Sequence, residues 1–341
     1  MRTAITLSDN HQGHAVPNHV ERPERLQAIQ QLIKDDPVLD SLIVLPPSNA
    51  SIEDVVLVHP REYYDRLAAA VQAGGARLDP DTYATPDSLN VAMQALGGLL
   101  SITDRVMRQK VDNGFAVVRP PGHHARPDTA MGFCLLANIS IAAEWAKKHH
   151  GVKKILIVDF DVHHGNGTQE IFYEDPDVMY MSTHQWPLYP GTGRLEETGA
   201  GNGQGTTINV PLPAHTGDDD FLRVFEQILT PIALKFNPEL ILVSAGYDAH
   251  WMDPIGGLNI SVAGFTAVFQ EILSWARQCS NNRLVTLLEG GYHADALAHS
   301  VLSTLRLLQD PDAHPSDPFG KSPSPDADVK DELKRLIEFH T

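Results

Sequence analysis

Only two cysteines, Cys134 and Cys279, occur in the 341 residues, so no disulfide framework is available. This fits a reducing compartment and reads both thiols, set in apolar stretches, as buried structural groups. No apolar run reaches the ~18 residues that a bilayer span needs. The first residues, MRTAITLSDNHQGHA, lack the basic flank and apolar core of a secretory signal, so the expected location is the cytoplasm. Positive charge is also short: 26 Lys and Arg stand against 43 Asp and Glu, a formal net charge of −17. A phosphate backbone would be repelled, so direct nucleic-acid binding is not expected, whereas a cationic substrate would be attracted. Charge of this size also serves solubility alone, so it decides nothing by itself.

The chain does have ample core material, with 42% hydrophobic and 20% charged residues. Short β-branched or apolar runs at 115–118, 155–160, 178–181, 240–243 and 284–288 read as buried parallel strands. Helical patterns lie between them, at 23–33, with proline in its first turn, and at 88–108, 138–149, 218–236, 263–278 and 295–308. Strand followed by helix, repeated, predicts an α/β fold with a doubly wound, mostly parallel sheet. No internal repeat or linker divides this alternation before about residue 310, so one domain spanning 1–341 is expected. Residues 310–328 are rich in Pro, Asp and Ser, and an amphipathic helix at 329–340 is expected to pack back onto the body.

The chemically suggestive residues follow the strands. RPPGHHA, with His123 and His124, comes after the first; DFDVHHGNG, with Asp159, Asp161, His163 and Asn166, after the second. SAGYDAHWMDP, with Asp248, and EGGYH, with Tyr292, follow the strands at 240–243 and 284–288. Ligands of open α/β sheets bind beyond the carboxyl ends of the strands, so these segments can converge on one site. In an extended DFDVHH the side chains of Asp159, Asp161 and His163 project to one side. Two carboxylates at a core edge resist burial unless a cation neutralises them. Adding Asp248 yields three ligands and an open position for water, the pattern of a catalytic metal site.

Taken singly, each fragment has a plain structural reading. A histidine at a strand end is more often hydrogen-bonded structure than ligand, and Pro-Pro-Gly or Gly-Gly-Tyr usually marks a turn. Four such segments on one rim shift the balance toward a site.

Together RPPGHHA, GFC (Gly132 to Cys134), DFDVHHGNGTQ, YPGTG (Tyr189 to Gly193), SAGYDAH and EGGY resemble the histone deacetylase family, from about His19 to about Tyr292. HHGNGTQ and EGGY are similar to class II enzymes and their bacterial relatives. The resemblance implies an arginase/deacetylase-like three-layer α/β/α fold, with the active site at the carboxyl ends of the strands. It implies one zinc on Asp161, His163 and Asp248, with His124 as general base and acid, His123 as electrostatic support and Tyr292 as oxyanion donor. Asp159 would orient His123, and Asn166 would orient His124. An acyl-lysine tunnel would be walled by Gly132, Phe133, Tyr189, Pro254 and Gly290. A structural potassium ion would use carbonyls of Asp159, Asp161 and His163 with Ser182 and Thr183. A second would draw on Phe172, Asp175, Val178 and Thr206. Asp81 matches the family's rim aspartate, though TYATP also reads as an ordinary turn. Arg25 either sits beneath the site or anchors the first helix by a salt bridge.

The implied activity is removal of acetyl or other short acyl groups from lysine in proteins or peptides. An arginase-like dinuclear centre would need carboxylates where this chain has Gly165 and Gly246. An acetylpolyamine amidohydrolase is the nearer rival, sharing RPPGHHA and HHGNGTQ. Against it, residues 73–87 form a short loop, and Ile255, not an acid, follows Asp253 and Pro254. A non-enzymatic acetyl-lysine reader would be expected to lack the tyrosine at 292. The Asp, His, Asp set would also accept iron(II) or cobalt(II). Assembly into a homo-oligomer is compatible with this reading.

Overall fold

The computed structural model describes residues 1–8 and 10–340, and of Leu39 the backbone alone. In chain order the strands are β1 (Thr3–Leu7), β2 (Ile43–Val44), β3 (Ala76–Arg77), β4 (Tyr83–Ala84) and β5 (Asn113–Val117). They continue with β6 (Ile155–Asp159), β7 (Val178–Gln185), β8 (Thr207–Leu212), β9 (Leu240–Ala245) and β10 (Leu284–Leu288). Eight of them form one sheet in the order β2-β1-β5-β10-β9-β6-β7-β8. Every pair in it is parallel, whereas β3 and β4 form a separate antiparallel pair.

Helices cover both faces, which is why the strands read as continuous apolar runs. Alternate residues of one strand feed opposite cores. Leu156 and Val158 of β6 and Ile241 and Val243 of β9 enter one cluster, with Phe225, Phe269 and Trp275. Ile155, Ile157, Leu240 and Leu242 enter the other, with Leu96, Leu99 and Ile139. The Ser88–Met107 and Asn138–His150 helices belong to the second layer, and Val262–Cys279 and Ala294–Gln309 to the first. Burying one Leu or Ile side chain contributes roughly 1.5–3 kcal/mol. Truncating the fully buried Leu242 to Ala would cost about 2–5 kcal/mol.

The expected three-layer α/β/α fold is present. The predicted strands appear with small boundary shifts, but β1, β2, β3, β4 and β8 carry no prediction, being short or set among polar residues. The expected helix at 218–236 is interrupted by a wider π turn, Phe225–Leu229, just before the Thr230–Phe236 segment. Pro231 there has no N–H to continue the regular ladder. Cys134 is buried, but Cys279 is partly exposed, because it is the last residue of its helix.

The tail makes hydrogen bonds to the body. Trp251 Nε1 donates to the Gly320 carbonyl at 2.9 Å, Asn259 Nδ2 to Asp326 Oδ1 at 3.0 Å and Ala263 N to Asp317 Oδ2 at 3.0 Å. The Lys330–His340 helix buries Leu333 and Leu336 in the first core.

For function the central relationship is that β5, β10, β9 and β6 are consecutive in the sheet and parallel. The segments leaving their carboxyl ends therefore share one rim.

Candidate active site

The chain leaves the extended conformation after Asp159, the last residue of β6. Strict alternation therefore stops there: Asp159 Oδ1 accepts from Asp161 N at 3.2 Å, and its Oδ2 faces His123. Asp161 and His163 instead meet Asp248, which follows β9. His163 Nδ1 is 3.1 Å from Asp161 Oδ1 and 3.2 Å from Asp248 Oδ2. All three residues are buried, with their ligand atoms within 4.8 Å of one another. The remaining oxygens are held by backbone: Val162 N donates to Asp248 Oδ1 at 2.8 Å and Gly290 N to Asp161 Oδ2 at 2.9 Å. A Cβ at Gly290 would stand 2.0 Å from Asp248 Oδ2, so only glycine admits this approach.

Burial, then the Asp161 charge, pushes the Asp248 carboxyl up to about 7. Two carboxylates and one imidazole share a dry space that a divalent cation would neutralise. The donor set fits one such ion. At the positions a dinuclear centre would require, Gly165 and Gly246 supply no ligands, and a Cβ at Gly246 would stand 2.0 Å from Asp161 Oδ2.

His123 and His124 follow β5, with ring centroids 4.0 Å apart. His123 Nδ1 is 3.1 Å from Asp159 Oδ2, which also accepts from Tyr180 Oη at 3.0 Å. Burial opposes charge on His123, but Asp159 first, then Asp161 and Glu289, outweigh it and hold the group up at about 10. His124 behaves oppositely: burial, then His123 and His163, lower it well below the ordinary histidine value. Its Nδ1 is 2.8 Å from Asn166 Oδ1. An amide oxygen only accepts, so His124 Nδ1 carries the hydrogen and Nε2 keeps its lone pair.

Tyr292 follows β10. Its N–H donates to Asp253 Oδ2 at 2.6 Å, the Arg25 guanidinium lies 4.8 Å from its ring centroid, and Phe133 meets it edge-on at 5.7 Å. Burial raises its hydroxyl well above the ordinary tyrosine value, so it stays a donor. Arg25 unites both sequence readings: it pairs with Glu21 Oε1 at 3.1 Å and donates to the carbonyls of Glu289 and Gly291, each at 2.6 Å.

Of the expected tunnel residues, Tyr189 packs edge-on against His124 at 5.2 Å, with its own ring more than one-third exposed. Gly132 has φ +55° and would drive a Cβ within 2.3 Å of the His124 ring. Pro254 is exposed on the turn that Asp253 ties to Tyr292. The carboxylates of Asp81 and Asp79 act on the Tyr189 hydroxyl, whose value is raised by burial first and then by these two. The His19 ring Nε2 is 3.0 Å from the Asp81 carbonyl.

Some of the residues in the two expected potassium sets are neighbours. Ser182 pairs with Asp159 across β6 and β7, Ser182 Oγ is 2.9 Å from His184 Nδ1, and Thr183 Oγ1 is buried with no hydrogen-bond partner among the described residues. Thr206 Oγ1 donates to the Asp175 carbonyl at 3.2 Å, and Asp175 N donates to the Phe172 carbonyl at 3.0 Å.

A cavity of about 890 Å³ is lined by Met131, Asn166, Gln169, Glu174, Thr192 and Glu197. None of the three metal-group residues lines it.

Sequence reading missed Glu21, Arg119, Asp253 and Glu289 as parts of the site's support. Glu21 and Arg119 form a fully buried pair. Only the charges inside HVERPERL and RPPGHHA could have hinted at it, and nothing local tells a buried acid from a solvated one.

The histone deacetylase domain family matches residues 19–308. A probable deacetylase of Archaeoglobus fulgidus is 40% identical over 90% of this chain and 86% of its own length. A histone deacetylase-like amidohydrolase of Pseudomonas aeruginosa is 34% identical over 96% of this chain and 87% of its own. The crystal structure of the HDA15 HD domain superposes with a TM-score of 0.86 at 34% identity, covering 92% of this chain and 90% of that one. On the matched motifs, the shared fold and this extent of similarity, the chain belongs to the histone deacetylase family.

Proposed function

We propose that the chain is a zinc-dependent amidohydrolase that removes acetyl or other short acyl groups from the ε-amine of lysine in proteins or peptides. The observation that carries this reading is the placement of a neutral, Asn-oriented His124 and a protonated Tyr292 around one buried Asp161, His163, Asp248 group. Zinc held there would supply Lewis acidity toward the amide carbonyl and its attacking water. His124 Nε2 takes a proton from that water and returns it to the departing amine. Tyr292 donates a hydrogen bond to the oxygen that becomes negative. His123, hydrogen-bonded to Asp159, supports the site electrostatically.

Gly132, Phe133, Tyr189, Pro254 and Gly290 form the wall of the acyl-lysine tunnel on this reading, and Asp81 holds the substrate backbone at its mouth. The Ser182 segment and the Phe172 to Thr206 turn hold potassium. The whole chain forms one catalytic domain, with the tail as its outer brace, working in the cytoplasm.

The acidic mouth, with Asp79 and Asp81, also favours a second reading in which the substrate is an acylated polyamine. The test is turnover of acetyl-lysine peptides, longer acyl-lysine peptides and acetylpolyamines by metal-reconstituted protein. Preference for the peptides supports the proposal. Preference for polyamines replaces it with the second reading, and tight binding without turnover replaces it with an acetyl-lysine reader.

A further inference from the structure

We propose that Glu289 is a positioning residue that sets the His123 and His124 pair against the metal group. This rests on reading the two histidines as the acid–base pair. Glu289 immediately follows β10 and is completely buried. Its Oε2 accepts from Gly122 N at 2.6 Å and from His123 N at 3.2 Å, the two N–H groups at the turn that carries both imidazoles. Its Oε1 accepts from Ser244 Oγ on β9 at 3.0 Å. Its own backbone is fixed at both ends: the N–H donates to the Ala245 carbonyl at 3.0 Å, and the carbonyl accepts from Arg25 Nη2 at 2.6 Å.

Among the described residues no other acceptor serves Gly122 N or His123 N. Left unpaired at this depth, each would be a desolvated donor with nothing to bond, so the turn would move to satisfy them. The next residue completes the relationship, because Gly290 N donates to Asp161 Oδ2 at 2.9 Å. Two adjacent residues at the end of β10 thus hold both halves of the site, one the histidine turn and one a metal-group carboxylate. The distance between them is the quantity a proton transfer depends on, and displacement by about 1 Å can cost up to a hundredfold in rate.

Glu289 also lies within 4.8 Å of His123 and Cys134, a grouping that resembles a second metal site. Both of its oxygens are already occupied by donors, and Cys134 Sγ donates to the Gly132 carbonyl at 3.2 Å. The group therefore acts as a clamp and not as a ligand set.

The experiment compares Glu289→Ala, Glu289→Gln and Ser244→Ala in the zinc-loaded full chain. It measures kcat and KM on an acetyl-lysine peptide, bound zinc, and amide hydrogen exchange across residues 119–125. Glu289→Ala is expected to lower kcat about tenfold to a hundredfold while KM changes less than about threefold. Zinc content should hold, and exchange at 122–123 should quicken. Glu289→Gln should recover most of that loss, since its Oε1 can accept both N–H groups and its Nε2 can donate to Ser244 Oγ. Ser244→Ala should give a smaller fall in kcat with faster exchange in the same segment, which keeps the test open if Glu289→Ala does not fold. Unchanged kcat and exchange in Glu289→Ala or in Ser244→Ala, or equal damage from Gln and Ala, overturns the clamp. If the parent protein turns over no acyl substrate, the proposed function falls, whereas exchange at 122–123 in the Glu289 variants still decides the clamp.

Discussion

Asn166 Oδ1 lies 2.8 Å from His124 Nδ1 and fixes the orientation of that imidazole, whose ring centroid is 5.9 Å from that of His163. An uncharged partner does not stabilise an imidazolium as a carboxylate would, and burial, His123 and His163 already depress the charged form of His124. Asn166→Asp is therefore expected to raise the His124 pKa. A raised value means the base is protonated over more of the acidic range, so the acidic limb of kcat/KM should move to higher pH, by about one unit. A limb that stays in place or moves to lower pH, in a variant that retains its metal, would separate His124 from that limb.

Asp248→Ala is expected to strip the bound metal and with it most activity, since Asp161 and His163 alone leave two protein ligands where catalytic sites keep three. Elemental analysis of the purified variant reads this directly. Full metal content in the variant, or two metals per active parent chain, would contradict the single three-ligand group.

Tyr292→Phe is expected to lower kcat by roughly a hundredfold, the usual value of one oxyanion donor, with metal content and KM nearly unchanged. The ring's contacts with Arg25 and Phe133 survive the change, so folding should not be at issue. Parent-like turnover would mean that the oxyanion is stabilised by another group.

Glu21 makes a stability prediction away from the metal. Burial opposes its charge, but Arg119 first, then Arg25, outweigh burial and hold the carboxyl down at about 2, against an ordinary value of 4.5. The folded value is the lower one, so the stabilisation is present above pH 4.5 and is lost as pH falls toward 2. A shift of that size corresponds to about 3 kcal/mol. Glu21→Gln should be less stable at neutral pH and lose stability less steeply across that window, as read by urea titrations at several pH values. Equal slopes in the two proteins would place the acid sensitivity elsewhere.

The sequence was legible where chemistry depends on residue type and order. Five apolar runs mark strands because strands covered on both faces must be apolar throughout, and the unusual residues directly after four of them mark one rim. It was illegible where strands are short or polar-flanked, as in β1, β2 and β8, and where helical geometry changes locally, as before Pro231. Asp159 shows the limit inside the site. Alternation groups it with Asp161 and His163, but the chain stops being extended at that residue, and the side chain turns to His123.

By itself, then, the sequence determined the parallel α/β architecture, the family resemblance and the candidate residues, because these follow from periodicity, motif order and donor chemistry. Only the tertiary structure decided the distances at which those residues meet. It brings Asp248, more than eighty residues away, onto His163. It sets Arg25 against Tyr292 and passes the side chain of Glu289 beneath the histidine turn. The physical reason is that burial and distance belong to the packed sheet: an acid in EGGY or HVERPERL reads the same whether it faces water or lies dry between guanidinium and backbone N–H groups.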